Sequence, residues 1–259
     1  MLRLKQSSPR AAWLVGHRGA MGHAPENTLS SFVLAQKMGA EFVECDVHLS
    51  KDKRCIVMHD EGVERTTNGL GLIRDLTVKQ IRNLDAGSWF SRKFKGEKVL
   101  TLDELLLWTK KQSSLSGFQL GMAIEIKNEP VRYLAIEENV IGSVVKAGME
   151  SRVILISFDH GVVKRAKAAN RKIAAGILFD RPLNDPFQRA RDVRADALFP
   201  RRHLVTRDLV QKAHKKGLAV ATWTVNEVRE MKKILACGVD AMATNYPDVL
   251  NKILESKSQ

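Results

Sequence analysis

The 259-residue chain has no apolar run approaching the roughly 18 residues that cross a bilayer, so no transmembrane helix is expected. The apolar patch nearest the N-terminus, residues 11–15, follows several basic residues but is too short for a signal-peptide core. It reads instead as a first strand, and the protein as cytoplasmic. Cysteine is scarce: Cys45, Cys55 and Cys237 are an odd number with no CxxC spacing. That excludes a disulfide framework or a zinc ribbon and predicts reduced, mostly buried thiols. No internal repeat or low-complexity tract is present. Acidic residues are also under-supplied, 29 against 42 Lys and Arg, for a formal net charge of +13. Such an excess favours anionic partners: nucleic acid, an acidic membrane surface, or small phosphate-bearing molecules. The chain has no nucleic-acid-binding motif, and its basic residues are scattered rather than gathered on one helix, so a nucleic-acid partner is not expected. It also lacks a long apolar amphipathic stripe, which leaves room only for transient contact with a membrane surface.

Short apolar runs alternate with helix-like segments along the whole chain. Strand-like runs fall at 13–16, 42–47, 123–126, 153–156, 173–178, 197–199, 218–223 and 241–243. Helical patterns cover 28–38, 101–111, 131–147, 162–169, 207–216, 228–237 and 247–254. Thr101 with Glu104 forms a capping-box pattern, and Asn226 precedes an acidic first turn. Gly148, Gly217 and Gly238 follow helices, where a left-handed residue is wanted. Eight strands with helices between them, in a chain near the usual length, predict a single (β/α)8 TIM-type barrel over 1–259. An open doubly wound sheet is the alternative, and the strand count favours the barrel. Residues 48–100 break the alternation with a second apolar run at 55–58 and a long loop-rich stretch. They read as a hairpin and small subdomain inserted after the second strand, where barrel insertions usually cap the mouth.

The second strand carries Glu44 and Asp46 two residues apart, so both face one way while Val43, Cys45 and Val47 face the other. With the apolar set packed on helices, the two carboxylates point into the barrel. There they repel each other at a cost of several kcal/mol unless a cation compensates. The next barrel strand repeats the device: Ile124 and Ile126 face outward, Glu125 and Lys127 inward. Any one of these acids alone would fit an ion pair with a nearby Lys or Arg as well as it fits a metal site. Together, Glu44, Asp46 and Glu125 suggest a hard all-oxygen site for one divalent cation, Mg²⁺ or Ca²⁺. His17 ends the first strand between glycines. The spacer 50–54 is too short for a crossover helix, so the run 55–58 returns antiparallel. A tight turn centred on Asp52 and Lys53 pairs residues whose numbers sum to 105, which sets His59 opposite Asp46. Two histidines beside an acidic cluster suit acid–base work near neutrality. Arg18 is a candidate phosphate clamp, Trp223 a candidate pocket wall, and the other five histidines read as structural or surface groups.

These residues resemble the glycerophosphodiester phosphodiesterase family. The likeness is carried by His17-Arg18-Gly19 and Pro25-Glu26-Asn27-Thr28, Glu44-Cys45-Asp46-Val47, and Met58-His59-Asp60. It continues through Arg65-Thr66-Thr67-Asn68-Gly69, Leu84 to Phe90, Glu125-Ile126-Lys127, Ser157-Phe158-Asp159, Trp223 to Asn226, and Thr244 to Asp248. The resemblance implies a TIM barrel with a capping insertion that hydrolyses glycerophosphodiesters to glycerol 3-phosphate and an alcohol. It implies Glu44, Asp46 and Glu125 as ligands to Mg²⁺ or Ca²⁺, with Mn²⁺ a third candidate, and His17 and His59 as general acid and base. Arg18 and Lys127 would hold the phosphate, and Trp223 would pack against glycerol. The chain departs from the pattern at Lys53, where the family often has glycine, at Val99-Leu100, and in the basic run Arg201-Arg202. A lysophospholipase D acting on membrane lysolipids is the alternative activity, and a non-enzymatic nucleic-acid-binding protein the distant one. Oligomeric state is not legible.

Overall fold

The computed structural model describes residues 10–256, so the basic stretch ahead of the first apolar patch lies largely outside the described residues. Eighteen elements follow one another: β1 Trp13–Gly16, α1 Leu29–Lys37, β2 Phe42–Leu49, β3 Cys55–Val57, α2 Val78–Arg82, α3 Leu102–Lys110, β4 Gly121–Ile126, α4 Ile136–Ala147 and β5 Val153–Ser157, then α5 His160–Ala169, β6 Ala174–Phe179, α6 Pro186–Val193, β7 Ala197–Pro200, α7 Arg207–Lys215, β8 Ala219–Thr222, α8 Val228–Leu235, β9 Ala241–Thr244 and α9 Pro247–Glu255. Parallel pairing runs from β2 through β4 to β9, and β1 pairs with both β9 and β2. That double pairing closes an eight-stranded barrel and excludes the open sheet. β3 lies outside the ring, antiparallel to β2.

Strand alternation divides the apolar residues into two layers. Val43, Cys45, Val47, Ile124 and Ile126 pack outward against the helices, in one cluster with Phe32, Leu105 and Val140. Trp13, Phe42, Ile154, Leu178 and Phe199 fill the barrel interior with a run of alanines. A third cluster, Ile56, Met58, Val63, Ile73, Ile81, Ala86 and Val99, belongs to β3 and the segment from it to α3. The three cysteines are free, with Cys45 and Cys55 buried. Among the described residues, no helix is long and apolar enough to cross a membrane.

The caps agree with the sequence at α3, where the Glu104 carboxylate accepts from the Thr101 N–H at 2.9 Å and Thr101 Oγ1 accepts from the Glu104 N–H at 3.3 Å. They differ at α8. Its N-cap is Glu227, without a side-chain bond, and Asn226 Oδ1 instead accepts from the Asn245 N–H at 3.0 Å. Helix α6 is absent from the sequence reading. Its surface is mostly charged and only Ala190 and Val193 are buried, so the apolar period is faint, although Asp185 caps it and Pro186 opens it. Helix α4 starts five residues later than its pattern, at Ile136, because Ala135 takes a left-handed conformation (φ 57°) and residues 131–135 form a loop.

The hairpin register also differs by one. Val47 pairs with Val57 and Leu49 with Cys55, so partners sum to 104, and the Met58 N–H donates to the Asp46 carbonyl at 3.0 Å. His59 thus lies one step beyond Asp46 rather than opposite it. The cause is a three-residue loop: the Ser50 N–H bonds the Arg54 carbonyl and Lys53 takes φ 60°. A left-handed non-glycine residue costs roughly 1 kcal/mol. Lys53→Gly should therefore stabilise the protein by about 0.5–1 kcal/mol, read as a raised Tm in thermal melts. A lowered Tm would refute this account of the turn.

Candidate active site

The C-terminal ends of β1, β2 and β4 bring the chemistry together. β2 and β4 pair in register with Asp46 beside Glu125, and Glu44 lies two residues earlier on the same face. Oxygens of Glu44, Asp46 and Glu125 lie within 4.8 Å of one another, and all three residues are buried. His17 extends β1 by one ladder bond, its N–H donating to the Thr244 carbonyl at 3.0 Å, and its Nε2 stands 4.0 Å from Glu44 Oε2. Its Nδ1 lies 2.8 Å from Asn245 Oδ1. The chain then turns sharply. Gly19 has φ 85°, and a Cβ there would meet the Ser31 backbone carbonyl carbon at 2.5 Å, so the turn admits only glycine. This turn aims the Arg18 N–H at Glu44 Oε2 (2.9 Å) and the Arg18 guanidinium at Glu26 Oε1 (2.9 Å) and Asp46 Oδ2 (3.2 Å). Lys127, just past β4, places Nζ 2.6 Å from Glu125 Oε1 and 3.1 Å from Asp46 Oδ1.

His59 sits in the loop after β3 with Nδ1 2.6 Å from Asp60 Oδ1. Arg65 bridges Asp60 to Glu26, at 2.6 Å and 2.7 Å, and Glu26 returns to Arg18. A belt of alternating charge thus joins the His59 loop to the His17 loop. Trp223, just past β8, donates Nε1–H to the Phe199 carbonyl at 2.9 Å and meets Phe158 edge-on at 5.4 Å. It lines an apolar pocket inside the barrel, open toward His17, Glu44 and Glu125.

A model of the glycerophosphoryl diester phosphodiesterase family matches residues 17–249. The chain belongs to that family. It is 35% identical to a glycerophosphodiester phosphodiesterase of Caldanaerobacter subterraneus, over 92% of this chain and 95% of that one. A glycerophosphodiester phosphodiesterase from Agrobacterium tumefaciens superposes with a TM-score of 0.81 at 27% identity, over 93% of this chain and 99% of that one. An Oleispira antarctica phosphodiesterase, solved with the product sn-glycerol-3-phosphate, gives 0.82 at 28% identity, over 94% and 96%. The family is one of enzymes, and this member carries the family's TIM barrel.

The site's electrostatics follow from crowding three acids. Burial first, then Asp46 and Glu125, push Glu44 well above the usual carboxylate range, and burial raises Glu125 to about 7. Burial also opposes charge on Asp46, but Lys127 and then Arg18 outweigh it and hold the group well below its ordinary value. Asp46 Oδ1 is buried and, although the Lys127 ammonium is near, it accepts no hydrogen bond. An oxygen-only donor set with one under-bonded carboxylate fits a hard divalent cation.

All eight residues singled out from the sequence lie at this end of the barrel. Glu26, Asp60, Arg65 and Asn245 stand in the family-like motifs, but the sequence carries no signal for what they hold, and by sequence alone His48 reads as a structural group. His48 is buried, with Nε2 3.0 Å from the His59 carbonyl and Nδ1 3.1 Å from the Tyr133 hydroxyl. The signal was its parity: His48 is two residues beyond Asp46 and shares its face. His23 and His214 bond surface carboxylates, and His160 a backbone carbonyl.

Burial lowers the His48 pKa from its ordinary 6.5 to about 4. Because the folded value is depressed, the unfolded chain binds more protons between these limits, and stability falls as pH drops from about 6.5 toward 4. Unfolding free energy should fall by about 1–2 kcal/mol between pH 7 and pH 5 from this group. Denaturant melts of the wild type and of His48→Gln should show that fall reduced in the variant; equal slopes would refute it.

Proposed function

We propose that the chain hydrolyses glycerophosphodiesters to glycerol 3-phosphate and an alcohol, with one divalent cation held by Glu44, Asp46 and Glu125. The observation that carries this reading is the convergence of three buried carboxylates with two histidines at one end of a barrel of this family. The product complex of the Oleispira relative supports the substrate class. A cation bound there would supply positive charge against the phosphodiester oxygens. Arg18 and Lys127 add two fixed cations, suited to a phosphoryl group whose charge builds in the transition state.

The histidines differ in their partners, and this orders their roles. His17 Nδ1 faces an amide oxygen, which accepts, so Nδ1 carries the hydrogen and Nε2 presents a lone pair. Burial lowers its pKa to about 4, which keeps it neutral and ready as base. It would deprotonate the nucleophile, either water or the glycerol 2-hydroxyl, whose attack gives a cyclic phosphate that water then opens to glycerol 3-phosphate. Burial lowers the His59 pKa, while Asp46 and the hydrogen bond from Nδ1 to the Asp60 carboxylate act against it in favour of imidazolium. Arg65 first, then His59, hold Asp60 at about 2, so it stays ionised. His59 would therefore give the Nε2 proton to the departing alkoxide. Trp223 offers an apolar wall for the glycerol carbons, and residues 48–100 form a cap tied to the mouth by the Arg65–Glu26 pair. A cytoplasmic setting and only transient membrane contact belong to the same reading.

Replacing His17 or His59 with Ala should lower kcat by about 10²–10⁴ with circular dichroism unchanged. Near-native turnover of either variant would sink the assignment. Chelation should abolish activity on a glycerophosphodiester panel, and Mg²⁺, Ca²⁺ or Mn²⁺ should restore it; turnover that survives chelation would refute the carboxylates' role. Adding a lysolipid to the panel tests the lysophospholipase D alternative.

A further inference from the structure

The antiparallel ladder stops one residue short of His59: its last bond runs from the Met58 N–H to the Asp46 carbonyl. Beyond that bond, the His59 side chain is held by Asp60 and its carbonyl by His48 Nε2 at 3.0 Å. A carbonyl oxygen only accepts, so His48 Nε2 carries the hydrogen and Nδ1 is left as an acceptor. The Tyr133 hydroxyl, 3.1 Å away, supplies the matching donor. The two rings also meet edge-on, with centroids 5.7 Å apart, and both residues are buried. One tautomer satisfies every atom, so the pair has a single arrangement.

Tyr133 is itself anchored. Its N–H donates to Asn128 Oδ1 at 2.8 Å, and Asn128 Nδ2 donates to Asp159 Oδ2 at 2.8 Å. Asn128 follows Lys127, whose ammonium lies against Glu125 and Asp46. The loop after β4 and the loop carrying His59 are therefore joined through one tyrosine and one histidine, neither of which touches the carboxylate cluster.

We propose that His48 and Tyr133 are positioning residues that fix the backbone of His59, so that its Nε2 meets the leaving oxygen. This rests on the reading of His59 as general acid. Strand parity explains why the residue is available: Glu44, Asp46 and His48 occupy alternate positions of β2, the first two at the cluster and the third at the rim. Small displacements of an acid matter because proton transfer requires hydrogen-bond reach to the departing oxygen.

The test compares two leaving groups. Glycerophosphoethanolamine expels an alkoxide that needs the proton, whereas the p-nitrophenyl ester of glycerol 3-phosphate expels a phenolate that does not. On the first, His48→Ala should lower kcat by about 10–100-fold with KM within about twofold. On the second, its kcat should fall by less than about threefold. His48→Gln, which keeps an N–H for the carbonyl, should restore most of the loss. Tyr133→Phe should cause a smaller loss of the same kind, and combining it with His48→Ala should add nothing, because it acts through His48. If His48→Ala unfolds, Tyr133→Phe carries the same comparison. His59→Ala is the reference. Should it discriminate between the substrates while the His48 and Tyr133 variants do not, the positioning role falls alone. Should His59→Ala lose both activities equally, the acid assignment falls and the positioning role with it.

Discussion

Three carboxylates buried within 4.8 Å of one another are the constraint around which the mouth of this barrel is organised. At that separation each charged pair repels by about 3–4 kcal/mol for an effective dielectric near 20. Neighbouring loops answer that repulsion. Arg18 reaches Asp46 and Glu26 because the Gly19 turn brings the first loop down onto β2. Lys127 reaches Asp46 and Glu125 because it follows β4 by one residue and keeps the parity of Glu125. Both cations stand beside Asp46, so Asp46 keeps its charge while Glu44 and Glu125 are pushed upward. A divalent ion held by the three carboxylates would relieve the same imbalance more completely. The excess of basic residues elsewhere is no part of this answer.

The same parity serves opposite purposes within single strands. On β2, Val43, Cys45 and Val47 bind the helices while Glu44 and Asp46 face the barrel, and a one-residue slip would exchange the two sets. Barrel closure guards against that slip, since β2 is held by β1 on one side and β4 on the other. The carboxylates are thus held by paired strands of the closed barrel, while His17 and His59 lie one and two residues past strand ends.

Legibility in the sequence tracked locality. Eight strands, the acidic faces and the capping box depend on residue identity at fixed offsets, and these could be read directly. The hairpin register was off by one because Lys53 adopts a conformation that its side chain disfavours, so a two-residue turn looked the better choice. Helix α6 escaped because two buried residues leave too faint a period. Asn226 has the residue type of a cap but accepts from Asn245, a contact between the loops after the neighbouring strands β8 and β9 that no local pattern reveals. The role of His48 is illegible for a similar reason: its partners lie 11 and 85 residues away.

The register correction bears on the chemistry. Had partners summed to 105, His59 would be a ladder residue whose backbone the sheet itself would hold. At 104, the ladder ends at Met58, and His59 needs anchors of its own. Asp60 and His48 supply them, each backed by a second group, Arg65 and Tyr133. His17 needs no such scaffold, since its N–H continues the ladder to Thr244 and one amide orients its ring. The two histidines therefore differ in what holds their backbone as well as in their ring partners. One is held by the sheet, the other by a constructed loop, and the loop-held one is the one whose partner is a carboxylate suited to imidazolium.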